Sequence, residues 1–122
     1  MAKKVIVVDD SLVSILVTKT VLSKNGFEVV QTFQNGEDFI AYFRRNSGVD
    51  AVIMDLVLPG MSGFEAIKRA KAIKQDVKIF VLSSLGDSPQ PIQSAIEAGA
   101  SNVIIKPFEA KAFIELLNAE LR

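Results

Sequence analysis

The sequence predicts an α/β protein built on an open, doubly wound, five-stranded parallel sheet, and three observations carry that expectation. Short runs rich in Val, Ile and Phe recur at 4–8 (KVIVV), 27–32 (FEVVQT), 51–54 (AVIM), 77–82 (VKIFVL) and 102–105 (NVII). A stretch of helical periodicity follows each of them. The connections are short, with no linker and no low-complexity segment between units. Such (βα)₅ alternation implies parallel strands with right-handed crossovers and helices on both faces. Five strands are too few to close an eight-stranded barrel, so an open sheet in the order 2-1-3-4-5 is expected.

Each element has its own warrant. The first, third, fourth and fifth strands are almost continuously apolar, as strands covered on both faces should be. FEVVQT is the most polar and suits an edge. The first helix, 12–24, has Leu12 and Leu16 at helical spacing beside Val13, Val17 and Val21, an apolar stripe expected to enter the core. The second, 36–45, follows Asn35, a good N-cap. The third, 63–74, opens with Ser62 and Glu65 in capping-box spacing. Ser88 and Pro89 begin the fourth, 89–98, and the fifth covers about 109–121 with Phe113, Leu116 and Leu117 on one face. Gly26 and Gly99 fall where helices end on a residue of positive φ. Phe108 and Phe113 are expected in the core. Arg44, Arg45, Lys68, Lys71 and Lys74 are expected on solvated helix faces.

Composition narrows the function. The chain has 122 residues, with Lys plus Arg and Asp plus Glu each totalling 14. No net charge draws it toward nucleic acid or an anionic membrane, and neither partner is expected. There is no cysteine and no histidine. That removes disulfides, thiolate chemistry, cysteine-ligated zinc and the commonest general base. Any metal would be a hard cation held by oxygen. No apolar run approaches the ~20 residues of a membrane helix, and the amino-terminal run is too short for a signal peptide. A cytoplasmic location and a single domain over 1–122, with no effector domain, are expected.

Ligands of open α/β sheets bind beyond the carboxyl ends of the strands, where strand order reverses. Asp9 and Asp10 follow the first strand, Asp55 the third, Ser83 and Ser84 the fourth, and Lys106 the fifth. Three converging carboxylates repel, and magnesium would relieve the repulsion. Aspartate is a nucleophile toward phosphorus, while lysine and serine can bind phosphoryl oxygens. The constellation reads as a phosphoryl-transfer site.

The segments VIVVDDS, VIMDLVLPGMSG, FVLSS and VIIKPF, in this order and spacing, strongly resemble the receiver domain of two-component response regulators over essentially the whole chain. The resemblance implies a flavodoxin-like fold and phosphorelay signalling. It casts Asp55 as the phosphoacceptor for a histidine kinase or histidine phosphotransfer protein. Asp10 becomes a direct Mg²⁺ ligand, Asp9 a ligand through water, and Val57 a ligand through its backbone carbonyl. Ser83 and Lys106 become the hydroxyl and ammonium that meet the phosphoryl group, and the Lys106–Pro107 bond is often cis in the family. A downstream protein would bind the face formed by the fourth helix, fifth strand and fifth helix. Such a protein is not an enzyme, beyond catalysing its own phosphorylation and autodephosphorylation.

Three departures stand out. Val103 occupies a position commonly aromatic, so switching by aromatic rotation is not expected. Ser84 replaces a residue that is usually Ala. Val57 and Leu85 sit where side chains tune attack of water on the phosphoryl group. Neither can orient a water, and autodephosphorylation is expected to be slow. The alternative within the family is a phosphorylation-independent pseudo-receiver acting as a protein-interaction module, against which Asp9, Asp10, Asp55 and Lys106 all argue. A flavin binder would need a hydroxyl- and glycine-rich loop where DDSLVS stands. A haloacid-dehalogenase-like hydrolase would need Asp-x-Asp after the first strand.

Overall fold

The computed structural model describes residues 2–84 and 89–121. Five strands, β1 (Lys3–Val8), β2 (Phe27–Phe33), β3 (Ala51–Asp55), β4 (Lys78–Ser83) and β5 (Asn102–Ile105), alternate with α1 (Leu12–Lys24), α2 (Gly36–Phe43), α3 (Gly63–Ile73), α4 (Pro89–Ala98) and α5 (Ala110–Glu120). The sheet is parallel, in the order β2-β1-β3-β4-β5, with polar β2 at one edge as expected.

Strand alternation divides the core in two. Ile6, Val8, Val52, Met54, Ile79 and Val81 point to one face, where Phe39 and Phe43 of α2 and Ala66, Ile67 and Ala70 of α3 cover them. Val5, Val7, Ile53, Phe80 and Leu82 point to the other, under Ile15 and Leu22 of α1 and Phe113 and Leu117 of α5. Burying each such side chain contributes about 1.5–3 kcal/mol before entropic costs. The central strands are thereby held rigidly by apolar contact on both faces.

Local signals account for the helix starts. Ser11, Asn35 and Ser62 are the N-caps of α1, α2 and α3, accepting from the amides of Ser14, Asp38 and Glu65 respectively. The reciprocal arm of the expected capping box is diverted, because the Glu65 carboxylate turns to Arg69 at 3.0 Å. Gly26 (φ 86°) and Gly99 (φ 121°) follow α1 and α4 in the left-handed region, where glycine carries no Cβ penalty.

The structure corrects three expectations about side chains. Leu12, Val13, Leu16 and Val17 are not core residues; they are 52–73% exposed, and α1 buries Ile15, Thr18 and Leu22 instead. Apolar residues occur on every side of this helix, so periodicity alone does not select the inner face. Lys71 and Lys74 are not freely solvated. Lys71 Nζ donates to the Val77 carbonyl at 3.2 Å, and Lys74 Nζ donates to the carbonyls of Ser47 and Val49 at 2.9 and 3.1 Å. Phe108 is only half-buried, its ring tilted against that of buried Phe113 with centroids 4.7 Å apart. The opening of α4 at Ser88 and the residue Leu85 lie outside the described residues.

Candidate phosphoryl-transfer site

The register brings the strand ends level. Val8 pairs with Met54, Asp55 with Leu82, and Ser83 with Ile105. Residues at or just beyond these pairs therefore emerge side by side at the β1–β3 boundary. The ladder continues for one step past the strands. Asp9 N–H donates to the Phe33 carbonyl at 2.9 Å, and Lys106 N–H donates to the Ser83 carbonyl at 2.7 Å. The chemistry-bearing side chains thus hang from backbone that the sheet itself positions.

Carboxylate oxygens of Asp9, Asp10 and Asp55 all lie within 4.8 Å of one another. Lys106 Nζ reaches between two of them, 3.1 Å from Asp55 Oδ2 and 3.2 Å from Asp9 Oδ2. Asp9 is 2% exposed and Asp55 is buried, whereas Asp10 faces solvent. The second oxygens are used as well. Asp9 Oδ1 accepts the Ser11 amide at 3.0 Å, and Asp55 Oδ1 accepts the Val57 amide at 3.2 Å. Since Ser11 caps α1, neither Asp9 nor Asp10 is occupied as that helix's N-cap. Ser83 is buried at the end of β4. Ser84, Lys106 and Phe108 border a groove of about 470 Å³ whose other wall is Val13 and Val17 of α1.

Electrostatics follow from this geometry. Burial raises the Asp9 pKa above its ordinary 3.8, and the Ser11 amide and Lys106 only partly offset it. Burial acts to lower the Lys106 pKa, but its bonds to Asp55 and Asp9 outweigh that and hold it above 10.5. Three carboxylates against one ammonium leave two negative charges at the mouth of the site. The donors are all hard oxygens closely spaced around one point, a set that suits a small divalent cation such as Mg²⁺ and not a soft metal.

Of the residues expected from the strand ends, Asp9, Asp10, Asp55, Ser83 and Lys106 stand together at this end of the sheet, and Ser84 borders the groove beside them. Val57 lies on the rim with its side chain 56% exposed. No sequence signal marks one further participant. Glu37 of α2 accepts the amide of Met61, in the loop that leaves Asp55, at 3.0 Å. An acid in the first turn of a helix is ordinary, and the contact spans 24 residues.

A doubly wound sheet with this acidic cluster and lysine at its switch point defines a receiver-type signalling domain, and sequence comparison agrees. The chain belongs to the response regulator receiver domain family, whose profile matches residues 5–118. Chemotaxis protein CheY of Bacillus subtilis is 37% identical over 121 residues, 99% of each chain. CheY of Thermotoga maritima is 36% identical over 118 residues, 97% of each chain. The solved structure of Vibrio cholerae CheY4 superposes with a TM-score of 0.87 at 27% identity, covering 98% of both chains. CheY in the Borrelia burgdorferi CheX–CheY–BeF₃–Mg²⁺ complex gives a TM-score of 0.90 at 20% identity, a likeness of fold alone, over 98% of this chain and 90% of that one. The protein is thus a CheY-like receiver of two-component systems, a family that uses Mg²⁺ at an acidic pocket. The Lys106–Pro107 bond is cis, as the resemblance implies. Among the described residues, no helix is long and apolar enough to cross a membrane.

Proposed function

We propose that Asp55 accepts a phosphoryl group from the phosphohistidine of a kinase or phosphotransfer protein, and that the resulting acyl phosphate shifts the domain between two conformations. The observation that carries this reading is the placement of Asp55 Oδ2 3.1 Å from Lys106, within the three-carboxylate cluster. A carboxylate oxygen of Asp55 attacks phosphorus, the phosphorus–nitrogen bond breaks, and the imidazole leaves with the bonding electrons. Asp10 and Asp55, with Asp9 through water and the Val57 carbonyl, would hold Mg²⁺, which when bound neutralises charge developing on the phosphoryl oxygens. Lys106 exchanges its bond to Asp55 for one to a phosphoryl oxygen, and the Ser83 hydroxyl donates to another. Their loops are drawn inward as the new dianionic group recruits them.

The downstream partner would read the α4–β5–α5 face. Ile105, Phe108, Ala112 and Leu116 line a groove of about 300 Å³ there. Val103 is half-buried in this region, so the shift is reported without an aromatic at that position. The protein acts in the cytoplasm as a phosphoacceptor, without being an enzyme toward other substrates.

Acetyl phosphate with Mg²⁺ is expected to add one phosphoryl group to the wild type by intact mass, and none to Asp55→Asn. Beryllofluoride should shift the amide resonances of Ser83 and Lys106 in the wild type alone. Wild-type protein that neither labels nor shifts would sink the proposal. The exposed, apolar Val57 side chain cannot align a water, so the phosphoryl group should be lost slowly. Val57→Asn should speed that loss, by less than the roughly 100-fold at the low end for a positioned general base, because an amide can orient water but not take its proton. Equal decay in the two proteins would remove Val57 from the account.

A further inference from the structure

The loop from Leu56 to Ser62 leaves Asp55 and carries the Val57 peptide. Its first half is held by two buried side chains and two hydrogen bonds. Leu56 and Leu58 are buried, the Leu56 carbonyl accepts the Gly63 amide at 3.1 Å, and Val57 N–H is tied to Asp55. The second half, Pro59-Gly60-Met61, is exposed or half-exposed and begins with a residue that has no N–H to donate. There the start of α2 meets it. Glu37 Oε2 accepts the Met61 amide, and a Cβ built on Gly36 would lie 3.3 Å from Met61 Sδ. A Cβ on Gly60, whose φ is +72°, would lie 2.5 Å from the same Glu37 oxygen. Glycine at 60 and glutamate at 37 are therefore two halves of one contact: only a residue without a side chain lets the carboxylate close on the loop.

We propose that Glu37 is a positioning residue for metal binding, holding the outer half of the Asp55 loop against α2 so that the Val57 peptide is pre-set beside the acidic cluster. The inference rests on the reading of that cluster as a Mg²⁺ site. Glu37 is exposed and touches neither Asp9, Asp10 nor Asp55 in the hydrogen-bond network described above, so it acts through the loop. Its contribution is local. The fold is held by the buried core, whereas Pro59 and Gly60 are exposed and Met61 only half-buried against that core, so releasing the segment changes the loop's range of conformations more than global stability.

Mg²⁺ titration of the full chain by calorimetry, with wild type, Glu37→Ala and Glu37→Gln, separates positioning from charge. Glutamine keeps an acceptor for the Met61 amide and drops the charge; alanine drops both. Loss of this contact should weaken Mg²⁺ by up to about tenfold in Glu37→Ala, the low end for partners bonded directly to a ligand, because Glu37 acts one step further out through the loop. Glu37→Gln should stay within about twofold of wild type, because the hydrogen bond and not the charge is required. Hydrogen exchange at the Met61 amide should quicken in the alanine variant alone, with thermal melting of all three proteins nearly the same. Alanine binding Mg²⁺ as tightly as wild type overturns the proposal, as does glutamine falling as far as alanine. Wild type that takes up no Mg²⁺ overturns the metal-site reading itself, an outcome distinct from normal wild-type binding with unaltered variants.

Discussion

Replacing Lys106 by methionine is expected to destabilise the metal-free protein by about 2–3 kcal/mol, below the 3–5 kcal/mol typical of breaking a fully buried ion pair. Methionine preserves most of the stem packing and removes only the ammonium. Asp9 and Asp55 then face each other and Asp10 with no countercharge, and Asp9 has almost no access to water. The figure sits under the buried-pair range because the Lys106 side chain is 22% exposed and water screens part of the interaction. Its pKa lies above 10.5, so its stabilising contribution is whole below that pH and fades as pH rises through the raised value. In acid the gap should also narrow. Asp9 protonates in the folded protein above its ordinary 3.8, and once neutral it no longer needs a cation. Urea midpoints across pH 4–11, followed by circular dichroism, should therefore show a plateau of difference around neutrality that closes toward both ends. Added Mg²⁺ should shrink the plateau by supplying the missing charge. Coincident midpoints at pH 7 without metal would show that the lysine is not what stabilises the cluster.

Gly63→Ala should cost about 3 kcal/mol and disable the site together with the fold around it. A Cβ there would lie 2.7 Å from Leu56 Cα, 2.8 Å from the Leu56 carbonyl oxygen and 2.9 Å from that of Asp55. These are backbone atoms at the end of a strand paired to β4, so relief requires moving Asp55 itself. Alanine's better helix propensity, at most about 1 kcal/mol, opposes this cost. Overpacking against immobile backbone commonly costs 1–3 kcal/mol and exceeds that where nothing can yield, so sterics win. Gly60→Ala meets the flexible Glu37 carboxylate instead and should cost less despite its positive φ. The check is the pair of denaturation midpoints together with Mg²⁺ affinity. A Gly63→Ala protein as stable as Gly60→Ala, with unaltered affinity, would contradict the argument.

Much of this was legible in the chain because its signals are local. Apolar runs such as VIVV and AVIM are too short for helices and too apolar for exposed strands, which places them in a parallel sheet. Asn35, Ser62, Gly26 and Gly99 mark helix ends by their own hydrogen bonds and backbone freedom. Once the strand order is set, Asp9, Asp10, Asp55, Ser83 and Lys106 must emerge together, since the register fixes where each strand stops. Other features have no local cause. Apolar residues lie on every side of α1, and the surface presented by β1 and β2 decided that Ile15 and Leu22 turn inward while Val13 and Leu16 face solvent. Lys71 and Lys74 read as surface charges until carbonyls of neighbouring loops come within their reach. Lys106 bridges acids 51 and 97 residues away, and Glu37 closes on Met61 across 24 residues. By itself, then, the sequence determined the sheet, its helices and the end of the sheet where chemistry gathers. Only the tertiary structure decided which side chains touch there, because contact between distant segments depends on how whole elements pack, and no short window of residues carries that information.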